Sequence, residues 1–130
     1  ALIPLMTAYE NVEFMLRMTN FPSKERQTAA MHALAQVGLE SRMHHRPFEM
    51  SGGEQQRTAI ARAIAHKPKL ILADEPTAEL DSRTGLTIIK VFRDLVQQGL
   101  SVIITTHDPA IMEIVDQVYE LEDGQIVDTH

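Results

Sequence analysis

Three short stretches of the chain combine residue types that could act on a phosphate. Met50-Ser51-Gly52-Gly53-Glu54-Gln55-Gln56-Arg57 places a hydroxyl and two residues without side chains at the first turn of a predicted helix. A helix start offers unpaired N–H groups at the positive end of its dipole, and glycine lets an anion approach the backbone closely. The same residues also spell an ordinary capping box, Ser51 with Glu54, at the head of a core helix, and on these residues alone both readings stand. Leu70-Ile71-Leu72-Ala73-Asp74-Glu75-Pro76-Thr77 is an apolar run that ends in two carboxylates. At the C-terminal edge of a parallel sheet, Asp74 could hold a hydrated Mg²⁺ while Glu75 orients or deprotonates an attacking water. A lone Asp-Glu pair more often marks only where a strand reaches solvent. Val102-Ile103-Ile104-Thr105-Thr106-His107-Asp108 delivers an imidazole to the same edge, where His107 could contact a terminal phosphate or hold a water. Alone, a histidine after a strand is more often structural.

The elements that must position these groups follow from periodicity and caps. Thr7 and Glu10 have capping-box spacing, with Val12, Met15, Leu16 and Thr19 at helical intervals, so a helix is predicted over about 8–19. Phe21-Pro22 ends it. Ser23 is the expected N-cap of a second helix with Ala30, Met31, Leu34 and Val37 on one stripe and Gly38 past its end. Residues 40–49 read as an irregular polar connector. A third helix, from 51 to about 65, buries Ala59, Ile60, Ala63 and Ile64 and stops at Lys67-Pro68. Residues 70–73 and 101–105 read as strands buried on both faces, joined by a helix over about 83–97 carrying Leu86, Ile89, Lys90 and Leu95. A short helix over 109–115 and a hairpin turning at Asp123-Gly124 complete the chain. Strand, helix, strand in that order implies a parallel crossover, hence an α/β architecture behind a helical subdomain. The expected division is 1–57 as that helical subdomain and 58–130 as the C-terminal part of an α/β core.

Composition narrows the classes of function. One domain or two small subdomains fit into 130 residues. The apolar runs are strand-sized, far short of the roughly 20 residues that cross a bilayer. Without cysteine there is no disulfide, thiolate or Cys-ligated zinc, which is compatible with the cytosol. With 18 acidic against 12 basic residues, the net charge of −6 disfavours nonspecific binding to nucleic acid, so no nucleic-acid partner is expected. His44-His45 lacks a completing carboxylate or cysteine cluster and reads as a solvated loop.

Together, the Ser-Gly-Gly-Glu-Gln segment, the apolar-Asp-Glu-Pro-Thr segment, Leu80-Asp81 and Thr106-His107-Asp108 resemble the signature loop, Walker B, D-loop and switch histidine of ABC ATPases. Leu2-Ile3-Pro4, Thr7-Ala8 and Glu10-Asn11-Val12 are similar to the segment after the Q-loop, so the likeness spans nearly the whole chain. Lipoprotein-release, macrolide-export and FtsE-type ATPases are the branch it looks closest to. That branch commonly has Gly-Asn-Leu-Asp where this chain has Ala78-Glu79-Leu80-Asp81. The resemblance implies an incomplete P-loop NTPase fold, ATP and Mg²⁺ as ligands, and ATP hydrolysis coupled to transport through a membrane permease. It implies Glu75 and His107 as catalytic residues and Asp74 as the Mg²⁺ partner through water. Ser51, Gly52, Gly53, Glu54 and Asp81 would bind nucleotide held by a second ATPase subunit in a head-to-tail dimer. It also implies a peripheral place on the cytoplasmic face of a membrane, where the helical hairpin Thr7–Val37 would meet the permease; Met6, Met15 and Met18 could suit such a groove, although a methionine stripe is more often core. Non-transport ABC ATPases of DNA repair or chromosome organisation share these motifs. They usually insert heptad coiled coils or zinc modules, for which residues 7–51 are short and cysteine-free.

A Walker A loop would read G-x-x-x-x-G-K-[ST], and no lysine here follows a glycine. That loop, the Q-loop glutamine and an adenine-stacking aromatic are expected upstream of Ala1. The expectation is therefore that a longer parent hydrolyses ATP and that these 130 residues alone do not. In the family's sheet order the Walker A strand lies beside the switch-histidine strand, so residues 101–105 should have an open apolar edge. Pairing with another chain, element swapping, or disorder around 118–127 would compensate for it.

Overall fold

A computed structural model describes residues 1–130. The first helix, α1 (Ala8–Met18), begins at the predicted capping box: Thr7 Oγ1 accepts from the Glu10 amide at 3.1 Å, and Glu10 Oε1 accepts from the Thr7 amide at 3.3 Å. Asn11 lies buried one turn on. Its Oδ1 accepts from the Ile3 amide at 2.8 Å and its Nδ2 donates to the carbonyls of Ile3, Met6 and Thr7. One amide side chain thus straps the entering segment onto α1.

The second helix, α2 (Arg26–Gln36), starts later than its sequence suggests. Residues Ser23–Glu25 form a 3₁₀ turn, and Ser23 makes no capping bond. The end of α2 is a Schellman motif, with the Gly38 amide on Ala35 O, the Leu39 amide on Leu34 O, and Gly38 at φ +77 where a side chain would be strained. The connector contains two 3₁₀ turns, Glu40–Arg42 and Pro47–Glu49.

The third helix, α3 (Gly52–Ile64), packs against α1 and α2 on one side and α4 (Ser82–Gln97) on the other. A single apolar cluster runs through all of them, from Val12 and Leu16 through Leu34 and Leu39 to Ile60, Ala61, Ile64, Ile88 and Phe92. Each fully buried leucine or isoleucine contributes on the order of 2 kcal/mol by removal from water. The buried face of α3 carries Ala61 in place of Ala59 and Ala63, which are half-buried. Met31 and Leu86, placed on apolar stripes by spacing, are exposed.

Strands β1 (Leu70–Asp74) and β2 (Ser101–Thr105) pair in parallel across the α4 crossover, in register from Leu70↔Ser101 to Asp74↔Thr105. They are not covered on both faces as their composition predicts. Ile71 is buried, whereas Leu72 is 72% and Ile103 is 56% exposed, because no second layer covers that side. The helix after β2 is shorter than expected, α5 (Pro109–Met112). The chain ends in an antiparallel hairpin, β3 (Tyr119–Glu122) and β4 (Gln125–Thr129), forming a sheet of its own. Asp123 and Gly124 both take positive φ (+48 and +77), the requirement of a two-residue I′-type turn. The disorder anticipated around 118–127 is therefore not what the structure has. No helix is long and apolar enough to cross a membrane.

Candidate functional site

The N-terminus of α3 carries the glycine-rich segment. Ser51 Oγ accepts from the Glu54 amide at 3.2 Å and Glu54 Oε1 accepts from the Ser51 amide at 3.0 Å, so the capping box is closed in both directions. Glu54 Oε2 pairs with Arg42 Nε at 2.8 Å, and Arg42 also donates to the Glu49 carbonyl at 2.9 Å. The Ser51 amide bond holds the Glu54 carboxyl below the ordinary glutamate value of 4.5, outweighing partial burial, and Arg42 adds to the effect. Glu54 is consequently engaged within the chain by the Ser51 amide and Arg42. The amides of Gly52 and Gly53 have no acceptor in the chain, since they precede the first possible intrahelical bond. Gly52 is exposed, whereas Gly53 is buried at the contact with α4.

Both glycines are also packing devices. A Cβ on Gly52 would lie 3.3 Å from Leu80 Cδ2, and one on Gly53 would lie 2.5 Å from Thr84 Cγ2. The start of α3 therefore sits against the turn that follows β1 and the first turn of α4. Asp81 occupies the N-cap position of α4 without a side-chain capping bond, which leaves its carboxylate available. Glu79 in the same turn has φ +65, a left-handed conformation that Asn tolerates better than Glu.

The C-terminal ends of β1 and β2 bring Asp74, Glu75 and His107 together. His107 Nε2 lies 3.3 Å from Glu75 Oε1, with the imidazole exposed and the carboxylate half-covered. Glu75 is held at φ +47; its amide donates to Thr105 O at 2.9 Å and its carbonyl accepts from the Ala78 amide at 3.1 Å. This left-handed turn, which costs a non-glycine residue about 1 kcal/mol, swings Glu75 off the strand line. Asp74 Oδ1 accepts a hydrogen bond from Thr105 Oγ1, and its Oδ2 makes no hydrogen bond within the chain. A free carboxylate oxygen at an exposed strand end suits a hard, hydrated cation such as Mg²⁺, which retains several waters and needs few protein ligands.

Thr77 Oγ1 donates to Asp108 Oδ2 at 3.2 Å, tying the Glu75 turn to the His107 loop. Asp108 Oδ1 meanwhile caps α5 through the Ala110 amide at 3.0 Å. No hydrogen bond or ion pair joins residues 51–54 to Asp74, Glu75 or His107. The predicted site residues thus fall into two groups, one at the head of α3 and one at the strand ends. Sequence reasoning missed Thr105, Thr77 and Arg42. None of the three has a local signal; Thr105 comes opposite Asp74 only through the β1–β2 register.

A family model described as ABC transporter matches residues 1–78. An uncharacterized ABC transporter ATP-binding protein of Thermotoga maritima is 46% identical over 128 residues, which is 96% of this chain and 53% of that protein. The macrolide export ATP-binding/permease protein MacB of Azoarcus sp. is 44% identical over 121 residues, covering 93% of this chain and 18% of that protein. Among solved structures, the dimeric post-hydrolysis state of the ATP-binding cassette MJ0796 bound to ADP and Pi superposes with TM-score 0.81 at 39% identity, over 99% of this chain and 58% of that one. The chain spans about half the length of the curated ATP-binding proteins it matches, such as those at 53% and 55%.

Proposed function

The chain belongs to the ABC transporter ATP-binding family, and from that premise we propose that it is the signature and Walker B part of a subunit that hydrolyses ATP to drive transport through a membrane permease. The observation that carries this reading is the separation of two complementary groups. Gly52 and Gly53 amides without an acceptor head α3, and a Glu75–His107 pair with Asp74 stands at the strand ends, with no bond between the groups. We read these as the two halves of one nucleotide site, completed when two copies meet head to tail. The solved relative described as dimeric and bound to ADP and Pi supports a two-copy assembly that holds nucleotide.

In this mechanism the head of α3 presents the unbonded N–H groups of Gly52 and Gly53 to the terminal phosphate held by the opposite subunit. Glu75 accepts the proton of the attacking water, and His107, at 3.3 Å from it, positions that water or the phosphate oxygen. Asp74 would hold Mg²⁺ through water, and the cation would supply neutralisation of charge on the transferred phosphoryl group. Asp81 lies in the turn at the dimer face. Residues 1–57 act as the helical subdomain and 58–130 as the core part, with the Walker A loop supplied by upstream sequence. The isolated 130 residues are then inactive. The subunit would lie peripherally on the cytoplasmic face of the membrane, with its permease meeting the helical part. Relatives named as ATP-binding/permease proteins support that partner.

Replacing Glu75 by Gln in the full-length parent is expected to lower ATP hydrolysis by at least about a hundredfold, the scale of a lost general base, while nucleotide binding persists. Hydrolysis undiminished by that change would remove Glu75 from the reaction. Affinity capture of the parent should bring a membrane permease; recovery of DNA in its place would favour the non-transport branch.

A further inference from the structure

Thr105 is bonded to both acidic residues at the end of β1. Its hydroxyl donates to Asp74 Oδ1, and its carbonyl accepts from the Glu75 amide at 2.9 Å. The parallel register places Thr105 opposite Asp74, and both side chains lie on the exposed face of the β1–β2 pair. An exposed aspartate at a strand end is otherwise free to sample several rotamers. The threonine hydroxyl selects one of them, occupying Oδ1 and leaving Oδ2 open. A β-branched residue is stiff at χ1, so the donor itself is well fixed.

We propose that Thr105 is a positioning residue for the metal-side carboxylate, orienting Asp74 toward the nucleotide-bound divalent cation. The inference rests on the reading of Asp74 as the metal partner. Partners that hydrogen-bond to a metal-ligating group typically change metal affinity by 10–100-fold when removed. Because the cation at Asp74 would be held through water, the lower end applies. A purely structural Thr105 predicts something else. Valine has nearly the same shape, is at least as suited to a strand, and leaves no buried polar atom unsatisfied at this exposed site, so Thr105→Val would then be silent.

The test uses the full-length protein with a non-hydrolysable ATP analogue. Mn²⁺ affinity is read by electron paramagnetic resonance titration, and the thermal midpoint is measured alongside. Thr105→Val should weaken Mn²⁺ binding about tenfold, Thr105→Ser should restore it to within about twofold of the parent, and the thermal midpoints of both should stay close to that of the parent. Asp74→Asn is the reference variant. If it weakens Mn²⁺ binding and Thr105→Val does not, or if Thr105→Ser is as weak as Thr105→Val, the positioning role is refuted while the metal-side assignment survives. If Asp74→Asn also leaves Mn²⁺ binding intact, the assignment of Asp74 fails and the positioning role fails with it.

Discussion

Adding one methyl group at Gly53 is expected to separate the packing role of the glycine-rich segment from its anion-binding role. The Cβ of Gly53→Ala would lie 2.5 Å from Thr84 Cγ2, about 1 Å inside the optimal carbon–carbon separation of roughly 3.5 Å. Thr84 is β-branched and in the first turn of α4, so its methyl group cannot swing away freely. Overpacking of this kind costs about 1–3 kcal/mol. Replacing a helical glycine by alanine returns at most about 1 kcal/mol, and less in the first turn. The balance is a loss of about 1–2 kcal/mol, read as a fall in the urea midpoint at constant slope. Thr84→Ser deletes the offending methyl group and alone should cost less than about 1 kcal/mol. Combining the two should recover most of the stability, giving a coupling energy of about 1 kcal/mol or more in a double-mutant cycle. If Gly53→Ala is as stable as the parent, or if the double variant is merely additive, the contact between the heads of α3 and α4 is not as described. Should the double variant fold well but still fail in nucleotide-dependent dimerisation, the glycine matters for anion approach as well.

Three further outcomes follow from the structure. The depressed Glu54 carboxyl contributes stability above the ordinary value of 4.5 that is lost as pH falls through its lower folded value. Urea midpoints of the parent and Glu54→Gln should therefore differ at neutral pH and converge on acidification. Asn11→Leu removes the strap on residues 3–7 and leaves the part-buried amide of Ile3 without its acceptor, so a loss of about 1–2 kcal/mol is expected, with faster hydrogen exchange in that segment. Glu79→Asn relieves a left-handed residue at φ +65 and should raise stability by about 0.5–1 kcal/mol, measured as a higher thermal midpoint.

Local chemistry made part of this structure legible from sequence. Thr7 with Glu10, Ser51 with Glu54, and the Asp123-Gly124 turn each specify their geometry within four residues, and each forms as read. The strand ends carrying Asp74, Glu75 and His107 could be placed because a short apolar run bounded by polar residues has few alternatives. What spacing could not reveal is which partner covers an apolar face. Met31, Leu86, Leu72 and Ile103 fit the pattern of core positions yet are exposed, since periodicity reports hydrophobicity and not the presence of a neighbouring layer. The same limit hid the contacts between distant residues. Thr105 on Asp74, Thr77 on Asp108 and Arg42 on Glu54 depend on tertiary register that no local motif encodes. Gly53 shows both sides of this: its place at a helix start suggested an anion, while its closeness to Thr84 required the fold.

Complementation between two inactive full-length subunits tests the composite site most directly. Ser51→Arg blocks the amide-lined half, and Glu75→Gln removes the water-activating half. In a head-to-tail dimer of one subunit of each kind, both lesions fall in the same nucleotide site and the other site is intact. Mixing the two should therefore restore ATP hydrolysis to about a quarter of the parent's rate, given random pairing in a two-fold dimer. If the two halves instead serve one site within a single subunit, every site in the mixture carries a lesion and hydrolysis stays at the level of the separate variants.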